Sequence, residues 1–506
     1  MQPTVHIQAQ GIDEAISGVF GPFVDVLEKI VFFAIPMFGT NVPIVIIWLV
    51  VGAIFCNFYF RIRPLRDLPH TIDILKGKFA RKSDPGQISS FQATSTELAG
   101  TTGLGNIAGV AVAITVGGPG AALWIMIAGA LGMALKFAEA TLGAMYRRVN
   151  DDGTVSGGPM YVLRDGLEKE GKPGLGKFLG AFYAAGMAVA VMGAGNIFQA
   201  NQVAQHLTEI TGGDESFFAG RAWLIGIFLL IPAALVIIGG IQSIARWTSR
   251  LVPVMALIYA VAVSAVILVN ISEIPHAIQL IVTGAFNPQG IAGGMLGVAI
   301  VGVQRALFSN VAGVGTAALA HSATKNNKPT QEGILAAWEP FLDSVVICTM
   351  TALAIVVTGE HLNEGQDGVT LTTNAFATVG NWFPIILSIC VVLFAFSTVL
   401  SYAYYGEKTF GYLFKNNKVA EIGYKIVYLI MIVVGAAVSL ETVTRFSDST
   451  FFLVAIPNIL GIYLLAKPLK REITGYRRAL AAGEITPLPE AEQVGMMPKD
   501  PKSRLY

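Results

Sequence analysis

The chain of 506 residues is 54% hydrophobic and only 13% charged, with a net charge of +1. Soluble domains carry about 25% charged residues, so a water-soluble globule of this length could not cover its surface. The apolar residues also arrive in runs of about twenty, the length that crosses a hydrocarbon core of roughly 30 Å. The class is therefore an all-α polytopic membrane protein.

The opening segment, MQPTVHIQAQGIDEA, has no basic stretch followed by an apolar core. No cleaved signal is expected, and the first span acts as its own insertion signal. Apolar stretches then predict about 11 transmembrane helices: 33–60, 95–116, 119–146, 178–208, 221–240, 251–271, 293–322, 334–358, 384–406, 421–440 and 448–466. Pro36, Gly39 and Pro43 interrupt the first, leaving 44–60 as its lipid-embedded part. Cys56, Cys348 and Cys390 all lie inside apolar runs, form no CxxC pair, and read as small hydrophobes. The tail, 467–506, is polar and is expected to have little structure.

Charge sets the orientation, because short cytoplasmic loops collect Lys and Arg. Segment 61–82 holds Arg61, Arg63, Arg66, Lys76, Lys78, Arg81 and Lys82, and 147–177 holds six more basic residues. Basic residues recur at Arg246 and Arg250, at Lys325 and Lys328, at Lys408, Lys415 and Lys418, and from Lys467 onward. Segments 209–220, 272–292 and 360–383 contain neither Lys nor Arg. Apart from Arg445 the two kinds alternate. An N-terminus outside and a cytoplasmic C-terminus follow, in a cell (inner) membrane.

The second and seventh spans share a motif: GNIAGVA at 105–111 and SNVAGVG at 309–315. Weak internal likeness of this kind marks the inverted repeats of secondary transporters. The repeats would be 95–271 and 293–466, five spans each and so opposite in topology. Segment 1–60 is then an extra N-terminal element, 61–94 a cytoplasmic basic linker and 272–292 an extracellular loop. Residues Ala99 to Asn106 pack three glycines and two threonines into eight positions, each glycine costing about 1 kcal/mol against alanine in a helix. Unwound backbone at membrane depth is tolerated where it lines a cavity or is buried in protein; its free N–H groups suit a carboxylate and its carbonyls suit a cation. The glycines could instead serve close helix packing, a reading that two matched segments make less attractive.

TTGLGNIAGVA at 101–111, GGPGAALWIMIAGALGMALKFAE at 117–139, SGGPMY at 156–161 and QRALFSNVAGVGTA at 304–317 together resemble the alanine or glycine:cation symporter family, in order along the chain from about 90 to 465. The resemblance implies a LeuT-like 5+5 inverted repeat with one added N-terminal helix, and uptake of a small neutral amino acid with sodium or, less often, protons. It departs from the family at Leu123 to Met126, where an aromatic FWMW is usual, and at Val311 and Val314, where the family has an acid and a methionine. These positions bear on substrate choice. By the same resemblance, Leu104 and Gly105 would offer backbone N–H groups to the substrate carboxylate, with Thr101, Phe308, Ser309 and Val314 also around the substrate. Thr101, Asn106 and Ser309 would hold one cation. Ala99, Thr102, Phe394, Ser397 and Thr398 would hold a second, all through oxygen, as a hard cation prefers. The hydroxyls of Ser397 and Thr398 could alternatively bond back to their own helix.

Other polar residues lie in the spans. Gln199 and Asn201 either line the cavity or bridge helices. Asp343 is a further cation ligand or one half of a structural pair. Lys136 and Glu139, three apart, are expected to neutralise one another, and Arg305 either gates the outer mouth or caps a helix end. No phosphate loop, ATPase or nucleic-acid motif appears, no His pair has metalloenzyme spacing, and no cofactor other than the coupling ion is expected. A channel would lack paired broken helices, and an intramembrane enzyme would need a nucleophile or metal constellation. The favoured reading is a secondary transporter working as a monomeric unit. A cysteine introduced within 272–292 or 360–383 is expected to react with an impermeant maleimide in whole cells, and one within 325–333 is not; equal labelling of both sets would end the eleven-span orientation.

Overall fold

A backbone at membrane depth has no water to bond, so it satisfies its own N–H and C=O groups as helix. The computed structural model describes residues 21–498, apart from 38, 63, 65, 152, 287–293 and 364–367, and its elements follow that rule. The expectations for 1–20, for Arg63 and for 499–506 lie outside the described residues. A hairpin of Ala34–Met37 and Thr40–Pro43 accounts for the interruption at Pro36, Gly39 and Pro43. Only after it does the first apolar helix begin, α1, Ile44–Phe60.

A short helix, Leu68–Leu75, follows, and a capping box starts the one after it: Ser89 Oγ accepts from the N–H of Gln92, and the Gln92 side chain accepts from the N–H of Ser89. This helix, α2, runs Ser90–Thr101 and is followed by α3, Ala108–Gly117, and α4, Ala121–Met145. Then come α5, Pro173–Ile210, α6, Trp223–Ile238, α7, Gly240–Val269, and α8, Ile274–Phe286. The second half comprises α9, Gly294–Asn310, α10, Thr316–Ser322, α11, Pro329–Val357, α12, Gly368–Ala377, α13, Pro384–Leu413, α14, Lys418–Ala437, and α15, Leu440–Leu464. Among the described residues α4, α5, α7, α11, α13, α14 and α15 are each long and apolar enough to cross a membrane, and α2 with α3 makes a further crossing bent by 54°.

Several boundaries differ from expectation. No loop separates the fifth and sixth spans: Gly240, at φ +66, turns the chain alone, and Arg246 and Arg250 lie inside α7. Segments 272–292 and 360–383 contain α8 and α12 rather than loop alone. The tail is also ordered. Ala466–Ala481 forms α16, because Leu469, Ile473 and Tyr476 make an apolar stripe that the surrounding charges hide from a composition average. Beyond it the chain pairs with the 78–89 segment: Leu488 N donates to Lys78 O at 2.8 Å, Val494 N to Ala80 O at 2.9 Å and Ser89 Oγ to Met496 O at 2.6 Å.

Helix α4 runs through the middle of this arrangement and touches α9, α10, α11 and α1. Glycines permit its close approaches, two of them at Gly143 and Gly333. A Cβ on Gly143 would sit 2.6 Å from Ala318 Cα, and one on Gly333 would sit 2.0 Å from Thr141 Oγ1. Gly143→Val is expected to cost about 1–3 kcal/mol or more through overpacking, visible as a lower melting temperature in detergent, whereas Gly423→Ala, whose Cβ meets nothing within 4 Å, leaves it unchanged.

Candidate functional site

Two helices break and meet. Between α2 and α3 the chain passes through a single 3-10 turn, Leu104–Asn106. Between α9 and α10 it unwinds through Val311 to Gly315, with Val311 at φ 47 and Gly313 and Gly315 both at φ +96. A β-branched residue at positive φ is strained, and such strain persists only where surrounding structure over-determines it. The breaks touch through Gly105, whose absent Cβ leaves room for the Phe308 ring at 3.2 Å and the Ser309 backbone at 3.4 Å. The shared Asn-x-Ala-Gly-Val motif lies at both breaks but in different conformations: Asn106 precedes the resuming helix, whereas Asn310 ends the outgoing one.

Side chains from other helices satisfy the freed backbone. Gln199 Oε1 accepts the Leu104 N–H at 3.1 Å, while its Nε2 donates to Ala194 O at 2.9 Å. Ala194 belongs to a π turn, Gly193–Ile197, in the middle of α5; π turns free a carbonyl and recur at functional sites. Glu139 Oε1 accepts the Gly313 N–H at 2.8 Å, Asn458 Nδ2 donates to Gly313 O at 2.8 Å and Tyr183 donates to Val314 O at 2.9 Å. Val314 is therefore held through its backbone. Asn201 donates to Val438 O at 2.5 Å, tying α5 to the end of α14 rather than reaching the breaks. Phe198 packs edge-on against Phe308 at 4.9 Å, and Phe451 stacks with Tyr402 at 5.9 Å, giving the junction an aromatic wall.

Beside the junction lies a cluster of oxygens. Ser309 Oγ donates to Asn106 Oδ1 at 3.2 Å and also to Asp343 Oδ1; Ser344 Oγ donates to the same carboxylate oxygen at 3.1 Å. Asp343 sits in a second π segment, Phe341–Cys348, within α11, and is fully buried. Among the described residues no cationic side chain pairs with it, and neither its Oδ2 nor Asn106 Nδ2 has a hydrogen-bond partner. A buried carboxylate without a cation is costly in so apolar a setting, and this donor set fits a hard cation.

A second group of oxygens joins α2, the first half of the first broken helix, to α13. Thr398 Oγ1 donates to Ala99 O and to Phe394 O, both at 2.9 Å; Ser397 Oγ lies 3.0 Å from Phe394 O and 3.5 Å from Ala99 O. Ala99, Phe394, Ser397 and Thr398 are thus brought together, and the hydroxyls bond across to α2 as well as to their own helix. Thr101 bonds back to Leu98 O at 3.4 Å, and Thr102 donates its N–H to Leu98 O. No hydrogen bond places either hydroxyl in the cluster.

The expected pairing of Lys136 with Glu139 is not what forms. Lys136 pairs with Glu97 on α2, shares Thr316 at 3.1 Å, and lies 3.9 Å from Glu339. Glu97 also accepts from Thr316 at 2.5 Å and from Tyr405. Glu139 is consumed instead by the second break, a demand invisible in sequence. Arg305 pairs with Asp448 on α15 and stacks over Phe308 at 5.3 Å, so it closes one side of the junction. On the other side Arg147 donates to the carbonyls of Ser322, Thr324, Asn326 and Pro85, clamping the 85–89 segment to the end of α10. Glu97, Asp448 and Ser344 were missed by sequence reasoning. For the two acids the signal was there, since a lone charge in an apolar run calls for an intramembrane partner.

An apolar groove of about 330 Å³ between α1, α4 and α9 has no charged side chain with which to recognise a zwitterion. Comparison with known proteins covers nearly the whole chain. Residues 25–489 match the model of the sodium:alanine symporter family. The chain belongs to that family. The sodium/alanine symporter AgcS of Methanococcus maripaludis is 38% identical over 428 residues, covering 84% of this chain and 92% of that protein. The probable sodium/glutamine symporter GlnT of Bacillus subtilis is 32% identical over 461 residues, covering 91% and 92%. The structure of MhsT in complex with L-phenylalanine aligns with a TM-score of 0.55 at 15% identity, covering 77% of this chain and 98% of that one, a likeness of fold. This member of the sodium:alanine symporter family is thus a LeuT-like, multi-pass, cation-coupled amino acid symporter and not an enzyme. Removing one partner of its buried charge network leaves the other uncompensated: Lys136→Met is expected to cost about 3–5 kcal/mol, read as loss of the monodisperse peak on size exclusion, while Lys169→Met, at the protein surface, leaves the peak intact.

Proposed function

We propose that the chain carries a small neutral amino acid, of the alanine or glycine class, into the cell by coupling it to inward movement of sodium. The observation that carries this reading is the meeting of two broken helices beside Asp343, a buried carboxylate with no cation partner among the described residues. The substrate carboxylate would take the N–H groups of Leu104 and Gly105, with Gln199 yielding the first of them. The ammonium would face the Phe308 carbonyl and Ser309. The aromatic wall leaves a short side chain as the fitting one. The names of the relatives, alanine for AgcS and glutamine for GlnT, support a neutral amino acid, and the first of them a small one.

One sodium would sit among Asn106, Ser309 and Asp343, adjacent to the substrate, with Thr101 completing the shell. A second would take Ala99, Thr102, Phe394, Ser397 and Thr398. Both would span the first broken helix and a helix of the other half, so cation binding favours the arrangement in which the substrate site is assembled. That differential affinity is what coupling requires. Arg305 with Asp448 and Arg147 with its carbonyls would be the outer and inner closures in alternating access. The proposed setting is a cell (inner) membrane, N-terminus outside and C-terminus cytoplasmic, each chain acting as its own transport unit. A proton is the second reading for the coupling ion, favoured by Asp343 being the ionisable member of the cluster.

Proteoliposome uptake with imposed sodium or pH gradients decides between the ions. Asn106→Leu removes the ligand oxygen at nearly constant volume and is expected to abolish sodium-driven alanine uptake in protein that stays monodisperse; normal coupled uptake by that variant would remove Asn106 from the site. Ser397→Ala with Thr398→Ala withdraws two neutral ligands, worth roughly 1.5–3 kcal/mol each toward a charge. The sodium activation curve should move to higher concentration by more than tenfold, with alanine affinity at saturating sodium little changed. Asp343→Asn should weaken sodium dependence and preserve the fold, since an amide still accepts from Ser309 and Ser344.

A further inference from the structure

Helix α16 begins two residues after α15 ends, at the level where that span leaves the bilayer, and it has two distinct faces. Ala466, Leu469, Ile473 and Tyr476 are buried against the bundle. Tyr476 anchors that face, its hydroxyl accepting from Gln331 at 3.0 Å and lying 2.7 Å from His70 Nε2. The opposite face presents Lys467, Lys470, Arg471 and Arg478, all exposed. With Tyr59 and Thr474 they line an open cavity of about 430 Å³.

The cations have no carboxylate to neutralise them. Among the described residues no Asp or Glu forms an ion pair with any of the four. The helix's own acid, Glu472, is turned away to accept from Thr330 at 3.2 Å. Lys470 Nζ lies 4.0 Å above the Tyr59 ring, which stacks on Phe55 at 5.0 Å. The cavity is therefore cationic on the α16 side and continues into an aromatic ledge on α1. Arg477 fixes the two helices together through the carbonyls of Phe60 and Arg61, both at 3.3 Å.

We propose that this cavity binds the headgroup of an anionic phospholipid in the leaflet where α15 ends. Two guanidinium groups and two ammonium groups converge on one open space, the donor set that a phosphodiester takes up. Basic residues on an amphipathic helix at a membrane face attract anionic lipid. The Phe55–Tyr59 ledge gives the acyl chains an apolar surface along α1, which free phosphate could not use. A lipid held here bridges α1 to α16 and so steadies the helix whose Tyr476 holds Gln331, next to Glu332 and the 322–326 clamp.

The full-length protein in mild detergent is titrated with dioleoylphosphatidylglycerol, with dioleoylphosphatidylcholine and with glycerol 3-phosphate, and its melting temperature is followed. Only the first should raise it at low micromolar lipid. Neutralising one charge should weaken the apparent affinity roughly five-fold, the equivalent of about 1 kcal/mol per basic residue at a membrane surface. K467Q/K470Q/R471Q/R478Q should therefore lose a few hundred-fold. Should that variant fail to stay monodisperse, K470Q/R471Q alone is read, with about 25-fold expected. K415Q/K418Q, basic residues elsewhere in the chain, should titrate as the wild type. Three results overturn the site: equal stabilisation by the two lipids, an unaltered titration of K470Q/R471Q, or full stabilisation by glycerol 3-phosphate at the same concentrations.

Discussion

Everything near the junction follows from one constraint: a peptide group stripped of its helical partner inside a bilayer must find another, because no water will serve. Both broken helices meet it with side chains borrowed from elsewhere. Gln199 on α5 takes the Leu104 N–H, and Glu139 on α4 with Asn458 on α15 takes both polar groups of Gly313. These substitutes are long-range contacts, so the shape of each break depends on the packing of at least three other helices. That dependence would let a local event, the proposed arrival of a carboxylate or a cation at the freed backbone, bias the arrangement of the whole bundle.

The intramembrane charges divide into two kinds. Glu97, Lys136, Glu339, His321 and Glu332 are knitted together through direct contacts with one another and with Thr316, Tyr405 and Ser90. Such a network holds α2, α4, α10, α11 and α13 in one arrangement. Asp343 is the other kind. Its partners are hydroxyls, Ser309 and Ser344, and neutral donors do not balance a carboxylate. Glu139 also meets only neutral donors, the Gly313 N–H and Asn458, so the contrast separates unpaired from paired charge and supports the Lys136 network as scaffold.

The two sides of the junction are closed by different means. Toward α15 one ion pair, Arg305 with Asp448, closes over the aromatic wall. Toward the N-terminus of α2 the closure is mostly backbone: Gln87 and Lys325 bond across the 85–89 and 323–325 segments, Arg147 clamps their carbonyls, and the chain after α16 lies on top. A backbone closure with a covering strap has more bonds to break than a single ion pair. The α16 side, where the proposed anionic-lipid cavity sits, is thus the more extensively bonded of the two.

Membrane class, the positions of the apolar helices, the two breaks and the family were legible in the sequence, because hydropathy, glycine content and short motifs are local properties. The hydroxyls on α13 that meet Ala99 O were legible for the same reason, through a neighbouring Ser397–Thr398 pair. What the sequence could not reveal was who completes each break and which charges pair. Lys136 and Glu139 stand three apart on one helix, yet each is taken by a different neighbour, since the backbone demand at Gly313 and the charge of Glu97 outweigh a local pairing. The π turns at Gly193–Ile197 and Phe341–Cys348, which aim Gln199 and Asp343 at the junction, have no periodic signal. The order of the tail was also hidden, because its apolar stripe of three residues means nothing until a surface is present to bury it. Those features were decided by tertiary structure alone, for the reason that a buried polar group chooses its partner by distance in space and not along the chain.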